Sequence, residues 1–264
     1  MSDEKSSMSS HRFGSGPKKK RLTFSHFSIM SWTALFALYL IWHQSALEIA
    51  PAPPAAEKKA ASHPLLEQPF TYLGSGGQCT AFLGADGKTV LKILKTTKSK
   101  TLNSFRIASS HFPNESALLF LHLEQTATPL PVLLTDSLGL PHNIDLSTTA
   151  FLLQENALPF LPHLENLIHS HQQEKAKQCI HDYIALLASH CRQGINYTDL
   201  GLRRNFGLIG SRVILFDLGS FVPDPSITLA TQLPLKTAKL LLWLEQKDPT
   251  LTAFAKECVQ AELK

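Results

Sequence analysis

The chain has 264 residues, a formal net charge of +4 and an apolar fraction of 44%. This length suffices for one domain of ordinary size or two small ones, and the apolar fraction suffices for a hydrophobic core. The four cysteines contain no closely spaced pair, which excludes the usual zinc and dithiol redox motifs, and we expect them to be reduced. We expect no nucleic-acid partner.

The N-terminal region divides into three segments of different composition. Residues 1–21 are polar and end in the basic cluster KKKR, which predicts a disordered basic tail. Residues 22–42 carry no charge and are about long enough to cross a hydrocarbon layer of ~30 Å, which predicts a transmembrane helix. A cleaved signal peptide is the alternative. Residues 43–64 are rich in Pro and Ala and predict an extended linker.

The basic cluster also predicts an orientation for a single-pass membrane protein. Basic residues favour the cytoplasmic side, so we expect the N-terminus in the cytoplasm and residues 65–264 on the opposite side. The unpaired cysteines favour the reverse orientation, because thiols persist in a reducing compartment.

The first half of the remaining chain has mainly strand character. The segments FTYLG, TAFLG and TVLKIL, separated by glycine-containing turns, predict three adjacent antiparallel strands between residues 70 and 94. Leu118, Leu121 and His122 recur at helical spacing, which predicts a helix over residues 114–125. Further strands are expected at 131–136 and 149–155.

The second half has mainly helical character. We expect a helix over residues 174–193, two short strands around the GSR turn at 210–212, and two C-terminal helices separated at Asp248 and Pro249. Strands followed by helices predict an α+β domain spanning 65–264, with lobes at 65–156 and 157–264.

Several polar side chains stand out against this background. Lys92 lies in an apolar strand, on the same face as Val90, and its amine needs an anion or water. Asp199, Asn205 and Asp217 offer side-chain oxygens of the kind that hold magnesium and orient a hydroxyl group. The ordinary alternatives are a surface lysine, a helix cap at Asp199 and a turn at Asn205.

In this order the residues resemble the protein-kinase-like superfamily, over most of residues 70–221. The resemblance implies a bilobal protein-kinase-like fold, with a small antiparallel sheet and one helix in the first lobe and a short, mainly helical second lobe. It also implies ATP and Mg²⁺ as cofactors, and a phosphotransferase acting on an unknown protein or small-molecule acceptor.

The resemblance assigns a role to each site residue. The glycine-rich phosphate loop would hold Gly74, Gly76 and Gly77, and the nucleotide would contact Val90 and the hinge residue Glu155. Lys92 would bind the phosphates and pair with Glu115 on the helix, for which Glu124 is a substitute. Asp199 would be the catalytic aspartate, and Asn205 and Asp217 would bind the metal.

Departures from the pattern leave other functions open. Cys79 stands where the family has a third glycine, Asp199 and Asn205 are one residue farther apart than usual, and only about 47 residues (264 minus 217) follow Asp217. These differences favour a catalytically weak or inactive pseudokinase that serves as a membrane-tethered binding module. A membrane-anchored interaction protein that binds no nucleotide is the third possibility.

Overall fold

A computed structural model describes residues 63–96 and 98–264. The chain begins there with a single turn of 3-10 helix, Pro64–Leu66. The predicted tail and transmembrane helix, and all but the last two residues of the predicted linker, lie outside the described residues.

One seven-stranded sheet dominates the first half of the chain. In chain order its strands are β1 (Phe70–Ser75), β2 (Cys79–Gly84), β3 (Thr89–Leu94), β4 (Leu118–His122), β5 (Pro131–Thr135), β6 (Pro141–Asp145) and β7 (Phe151–Glu155). In space the order is β4-β7-β3-β2-β1-β5-β6. The three adjacent strands β1 to β3 and the strands at β5 and β7 are confirmed.

Short strands and helices make up the second half. The strands are β8 (Leu158–Pro159), β9 (Ile195–Tyr197), β10 (Phe206–Ile209), β11 (Arg212–Leu215) and β12 (Phe221–Pro223). The helices are α1 (Ser99–His111), which precedes β4, and then α2 (Phe160–His169), α3 (Gln173–Arg192), α4 (Leu229–Lys247) and α5 (Pro249–Glu262). The helix over 174–193, the hairpin around GSR and both C-terminal helices are confirmed.

The prediction of a small antiparallel sheet is wrong. The sheet is larger because a hairpin, β5 and β6, extends it past β1, and β1 and β5 run parallel. Asp136 shapes the turn of this hairpin, since its Oδ1 accepts hydrogen bonds from the backbone N–H groups of Leu138 and Leu140. The fold is therefore a mixed α/β arrangement.

The helix predicted over residues 114–125 is also wrong. Its centre is strand β4, which pairs antiparallel with β7. A short apolar run such as LLFLH fits helical and strand periodicity equally well, and here pairing with the buried strand β7 decides. The helix of this region is instead α1, whose polar sequence and uncapped N-terminus gave little signal.

The prediction of a membrane-spanning protein is corrected as well. None of the helices in the described ranges 63–96 and 98–264 is long and apolar enough to cross a membrane. The segment predicted to span, 22–42, is outside those ranges.

Aromatic side chains connect the elements that surround the predicted site. Phe160 of α2 stacks on Tyr183 of α3 at 4.9 Å between ring centroids, and Tyr183 meets Phe206 of β10 edge-on. Phe112, just after α1, stacks on Phe221 of β12 at 5.2 Å. Because all of these rings are buried, they hold α2, α3 and β10 together and hold α1 against β12.

Candidate functional site

Lys92 sits near the centre of the sheet. Strand β3 lies between β2 and β7, so Lys92 is flanked by Ala81 and Leu152. Its Nζ donates a hydrogen bond of 2.5 Å to the backbone oxygen of Phe216 and lies 5.3 Å from the centroid of the Phe216 ring. Burial lowers the pKa of Lys92, and the neighbouring Cys79 and Asp217 act in the opposite direction. Lys92 and Asp217 are thus brought together.

Asp217 stands just after β11, where the chain leaves the β10–β11 hairpin. Its Oδ1 accepts a hydrogen bond of 3.3 Å from the backbone N–H of Gly219. The preceding residue, Phe216, donates its backbone N–H to the backbone oxygen of Asn205 at 2.9 Å. The other carboxylate oxygen, Asp217 Oδ2, accepts no hydrogen bond within the described part of the chain.

The Asp199 segment lies beside the Asp217 segment because β9 pairs with β12 in register, with Tyr197 opposite Phe221. The backbone N–H of Thr198 then donates to the oxygen of Ser220 at 3.1 Å. Asp199 itself is exposed. Burial raises the pKa of Tyr197, and the charges of Asp217 and Asp199 act in the same direction.

Asn205 is buried and holds its own loop together. Its Nδ2 donates a hydrogen bond of 2.8 Å to the backbone oxygen of Asp199, and a Cβ at Gly201 would lie only 3.0 Å from that nitrogen. The side-chain Oδ1 is the remaining acceptor. An amide oxygen and the Asp217 carboxylate are oxygen ligands of the type that Mg²⁺ prefers. Among residues 63–96 and 98–264 no three His, Cys, Asp or Glu side chains form a metal-binding group.

The glycine-rich turn between β1 and β2 is open on its outer side. A Cβ at Gly74 or Gly77 would meet no atom within 4 Å, and one at Gly76 would come no closer than 3.9 Å to the Cys79 oxygen. None of the three has a positive φ. Neither packing nor backbone conformation therefore requires glycine at these positions. Lys95 Nζ donates to the Gly76 oxygen at 2.7 Å and holds the turn down.

Gln78 reaches from this turn to the Asp217 segment. Its Nε2 donates to the Gly219 oxygen at 3.4 Å, and its Oε1 is buried without a hydrogen-bond partner among the described residues. A Cβ at Gly219 would fall 1.4 Å from Gln78 Oε1, so a side chain at this position would have to displace the end of the Gln78 side chain. The turn and the Asp217 segment are therefore in direct contact.

The structure does not bring Glu115 to Lys92 as the resemblance implies. Glu115 lies in the turn between α1 and β4, where its backbone oxygen accepts from Leu215 N–H at 2.8 Å. The substitute, Glu124, is exposed and pairs with Arg106 at 3.5 Å. In the described part of the chain no carboxylate forms an ion pair with Lys92.

Val90 and Glu155, which the resemblance assigns to nucleotide contact, lie in the neighbouring interior strands β3 and β7. Val90 is buried and pairs with Gln154 of β7, and Glu155 pairs with Thr89. The Glu155 side chain forms an ion pair with Arg212 at 3.3 Å. Its backbone N–H donates to Ala117, so this peptide group is already engaged.

Sequence reasoning missed three residues that shape the site: Gln78, Ser104 and Lys236. Ser104 and Lys236 are buried polar residues in helices, and both bond to the site segments rather than to their own helix. Lys236 Nζ donates to the Tyr197 backbone oxygen at 2.8 Å and to Asn196 Oδ1 at 2.9 Å. Lys236 could have been noticed in the sequence, because it lies between Leu233 and Leu240 on the apolar stripe of a predicted helix. A lysine at such a position needs a polar partner.

The cysteine prediction is confirmed for the four cysteines, all of which are free thiols. Three are buried, and Cys79 is half-buried beside Lys92, where burial raises its pKa. No protein-family model matches the chain, and no curated protein is significantly similar to it.

Proposed function

We propose that the protein binds ATP and Mg²⁺ between the glycine-rich turn and the Asp217 segment and is a phosphotransferase for an as yet unidentified acceptor. The observation that carries the proposal is the meeting of Lys92 and Asp217. A desolvated ammonium with a single backbone hydrogen bond retains donors for an anion, and the carboxylate beside it offers a free oxygen to a cation. A triphosphate with its metal ion supplies both partners.

Each residue has a distinct part in this proposal. Lys92 binds phosphate oxygens, and the backbone of Gly76 and Gly77 lies open to a ligand that approaches closely. Asp217 and Asn205 would hold Mg²⁺, which supplies charge neutralisation to the phosphates when bound. Asp199, exposed next to that pair, orients the hydroxyl group of the acceptor and accepts its proton.

A second candidate function is that of a nucleotide-binding module with little or no catalysis. The absence of an ion-pair partner for Lys92 among the described carboxylates favours it, since nothing charged holds the amine in one orientation. The contact of Gln78 with Gly219 favours it too, because the side chain stands between the glycine-rich turn and Asp217. Nucleotide binding is common to both candidates, and phosphate transfer distinguishes them.

Thermal unfolding of the full-length protein with ATP tests the shared claim. Ligand at about 100 times its Kd stabilises a folded protein by ~2.7 kcal/mol, which raises the melting temperature measurably. We expect a shift with ATP that grows when Mg²⁺ is added and that Lys92→Met abolishes. Lys88→Met is the matched control, because Lys88 is an exposed lysine directly before β3.

The outcomes separate the candidates. A shift together with transfer of the terminal phosphate to water or to an added acceptor supports the phosphotransferase. A shift without any transfer supports the binding module. No shift at millimolar ATP, from protein that still unfolds cooperatively, would refute both and leave a protein-interaction role.

A further inference from the structure

Ser104 stands out as a polar residue at the buried centre of α1. Its exposed fraction is 1%, and its neighbours in the helix, Phe105 and Ala108, are buried apolar residues. The hydroxyl group donates a hydrogen bond of 2.5 Å to the backbone oxygen of Leu218 and accepts one of 2.7 Å from the backbone N–H of Phe221. One side chain of α1 thus holds the segment that follows Asp217 at two points.

This arrangement differs from the usual behaviour of serine in a helix. A helical serine ordinarily donates back to a carbonyl of its own preceding turn. Ser110 of the same helix does so, with a bond of 2.9 Å to the Arg106 oxygen. Ser104 instead uses both its donor and its acceptor on a segment more than 100 residues away, at separations of 114 and 117 residues. The Ser104 hydroxyl group does not need these distant partners, because a carbonyl group of its own helix could accept its hydrogen bond.

The bond to Leu218 acts on Asp217 through one peptide plane. The Leu218 carbonyl and the Gly219 N–H belong to the same rigid peptide unit. Ser104 holds the oxygen of that unit, and the N–H of the unit donates to Asp217 Oδ1 at 3.3 Å. On the other side of Asp217, Lys92 holds the Phe216 oxygen. The carboxylate is therefore oriented by Ser104 from one side and by Lys92 from the other.

We propose that Ser104 is a positioning residue for Asp217, which orients the carboxylate for Mg²⁺ without touching the metal or the nucleotide. The proposal rests on the proposed nucleotide function of the site. Helix α1 has no acidic residue. Its contact with the metal-binding segment is therefore made by the uncharged hydroxyl group of Ser104. Hydrogen-bonding partners behind a metal ligand typically contribute 10- to 100-fold to metal affinity.

The test compares Ser104→Ala, Ser104→Thr and the control Ser110→Ala in the full-length protein. ATP affinity is measured by calorimetry with a chelator and again with excess Mg²⁺. We expect Ser104→Ala to reduce the Mg²⁺-dependent gain in affinity tenfold or more and to leave affinity in the chelator within about twofold. Ser104→Thr retains the hydroxyl group and should keep most of the gain, and Ser110→Ala should keep all of it.

Amide hydrogen exchange without nucleotide is measured on the same variants. Loss of the Ser104 hydroxyl group should accelerate exchange in a peptide covering residues 216–221 and leave residues 206–215 unchanged. If wild type binds no nucleotide, the proposed function fails, and exchange alone decides whether Ser104 orders the segment. An unchanged Mg²⁺-dependent gain in Ser104→Ala, or unchanged exchange at 216–221, would overturn the role proposed for Ser104.

Discussion

The Nε2 of Gln78 donates a hydrogen bond of 3.4 Å to the backbone oxygen of Gly219, which joins the glycine-rich turn to the residue two positions after Asp217. The contact is close enough that a Cβ at Gly219 would overlap the end of the Gln78 side chain. This relationship gives a direct test of whether the turn rests on the Asp217 segment in solution.

We expect Gly219→Ala to expel the Gln78 side chain and to reduce the free energy of unfolding by about 1 kcal/mol, the typical value of one lost hydrogen bond. In a Gln78→Ala background the same substitution should cost less, because the overlapping atoms are gone. Urea unfolding of the two single variants and the double variant measures this coupling. Gly77→Ala, where a Cβ meets no neighbour, is the neutral control. Equal costs of Gly219→Ala in both backgrounds would show that the contact is absent.

Lys92 should destabilise the folded protein at neutral pH. Burial lowers its pKa from 10.5, so between the folded pKa and 10.5 the unfolded chain binds more protons and stability rises with pH. Lys92→Met lacks this ionisation. We therefore expect wild type to gain stability relative to Lys92→Met as the pH rises from 7 to 10. Urea unfolding at several pH values measures it, with Lys88→Met as control. A difference that does not change with pH would mean that the amine is well solvated.

His190 predicts acid sensitivity of the fold. The ring is fully buried against Phe112, its nitrogens have no hydrogen-bond partner in the described part of the chain, and burial, followed by the charge of Lys236, lowers its pKa to about 3. From pH 6.5 down to 3 the unfolded state binds the extra proton, so stability falls as pH falls, by up to ~1.4 kcal/mol per pH unit.

The variant His190→Leu should remove this part of the pH dependence between pH 6.5 and 5, a contribution of about 2 kcal/mol. The exposed His169, replaced in the same way, is the control. Melting temperatures across this pH range are the measurement. Parallel pH profiles for His190→Leu and wild type would contradict the burial of a neutral ring.

Turnover, where it is detected, should depend on Asp199 and not on Glu115. Asp199 is exposed beside Asp217 and Asn205, whereas Glu115 lies in the turn before β4 and forms no ion pair with Lys92. We expect Asp199→Asn to reduce kcat at least 100-fold, the usual contribution of a general base. Glu115→Gln should stay within about twofold. Steady-state assays with both variants measure this. A larger loss of kcat in Glu115→Gln than in Asp199→Asn would contradict the prediction and support Glu115 as the ion-pair partner of Lys92.

The sequence allowed the local elements with strong patterns to be predicted. The strands at TVLKIL and FLLQE follow from apolar β-branched and aromatic runs, and the α3 helix follows from its 3.6-residue periodicity. The pairing of β1 with β5 was not accessible, because parallel pairing joins residues about 64 positions apart, as in Phe70 and Leu134. Helix α1 was missed because its sequence is polar, with Ser104 on its buried face, and because no side chain caps its N-terminus.

The site shows the same division. Lys92 and Asp217 were predicted as site residues because each is a polar residue in or next to an apolar strand, and such a residue needs a partner, whereas Asn205 was predicted from its side-chain oxygen and from the resemblance. Gln78, Ser104 and Lys236 were missed because each of them bonds to a distant backbone carbonyl group, and every residue of a chain carries such a group. Glu115 was assigned to a helix because it lies in the segment predicted to be helical and follows Lys92 in the order that the resemblance implies. That order does not determine the local structure, and Glu115 lies in a turn.

Calorimetric titration of the full-length protein with ATP and Mg²⁺, in wild type, Lys92→Met and Asp217→Asn, tests the central claim most directly. We expect wild type to bind one nucleotide per chain, Lys92→Met to lose binding with and without metal, and Asp217→Asn to lose only the gain that Mg²⁺ provides. Absence of heat in wild type at millimolar ATP, or identical affinities in all three proteins, would contradict a nucleotide site built on Lys92 and Asp217.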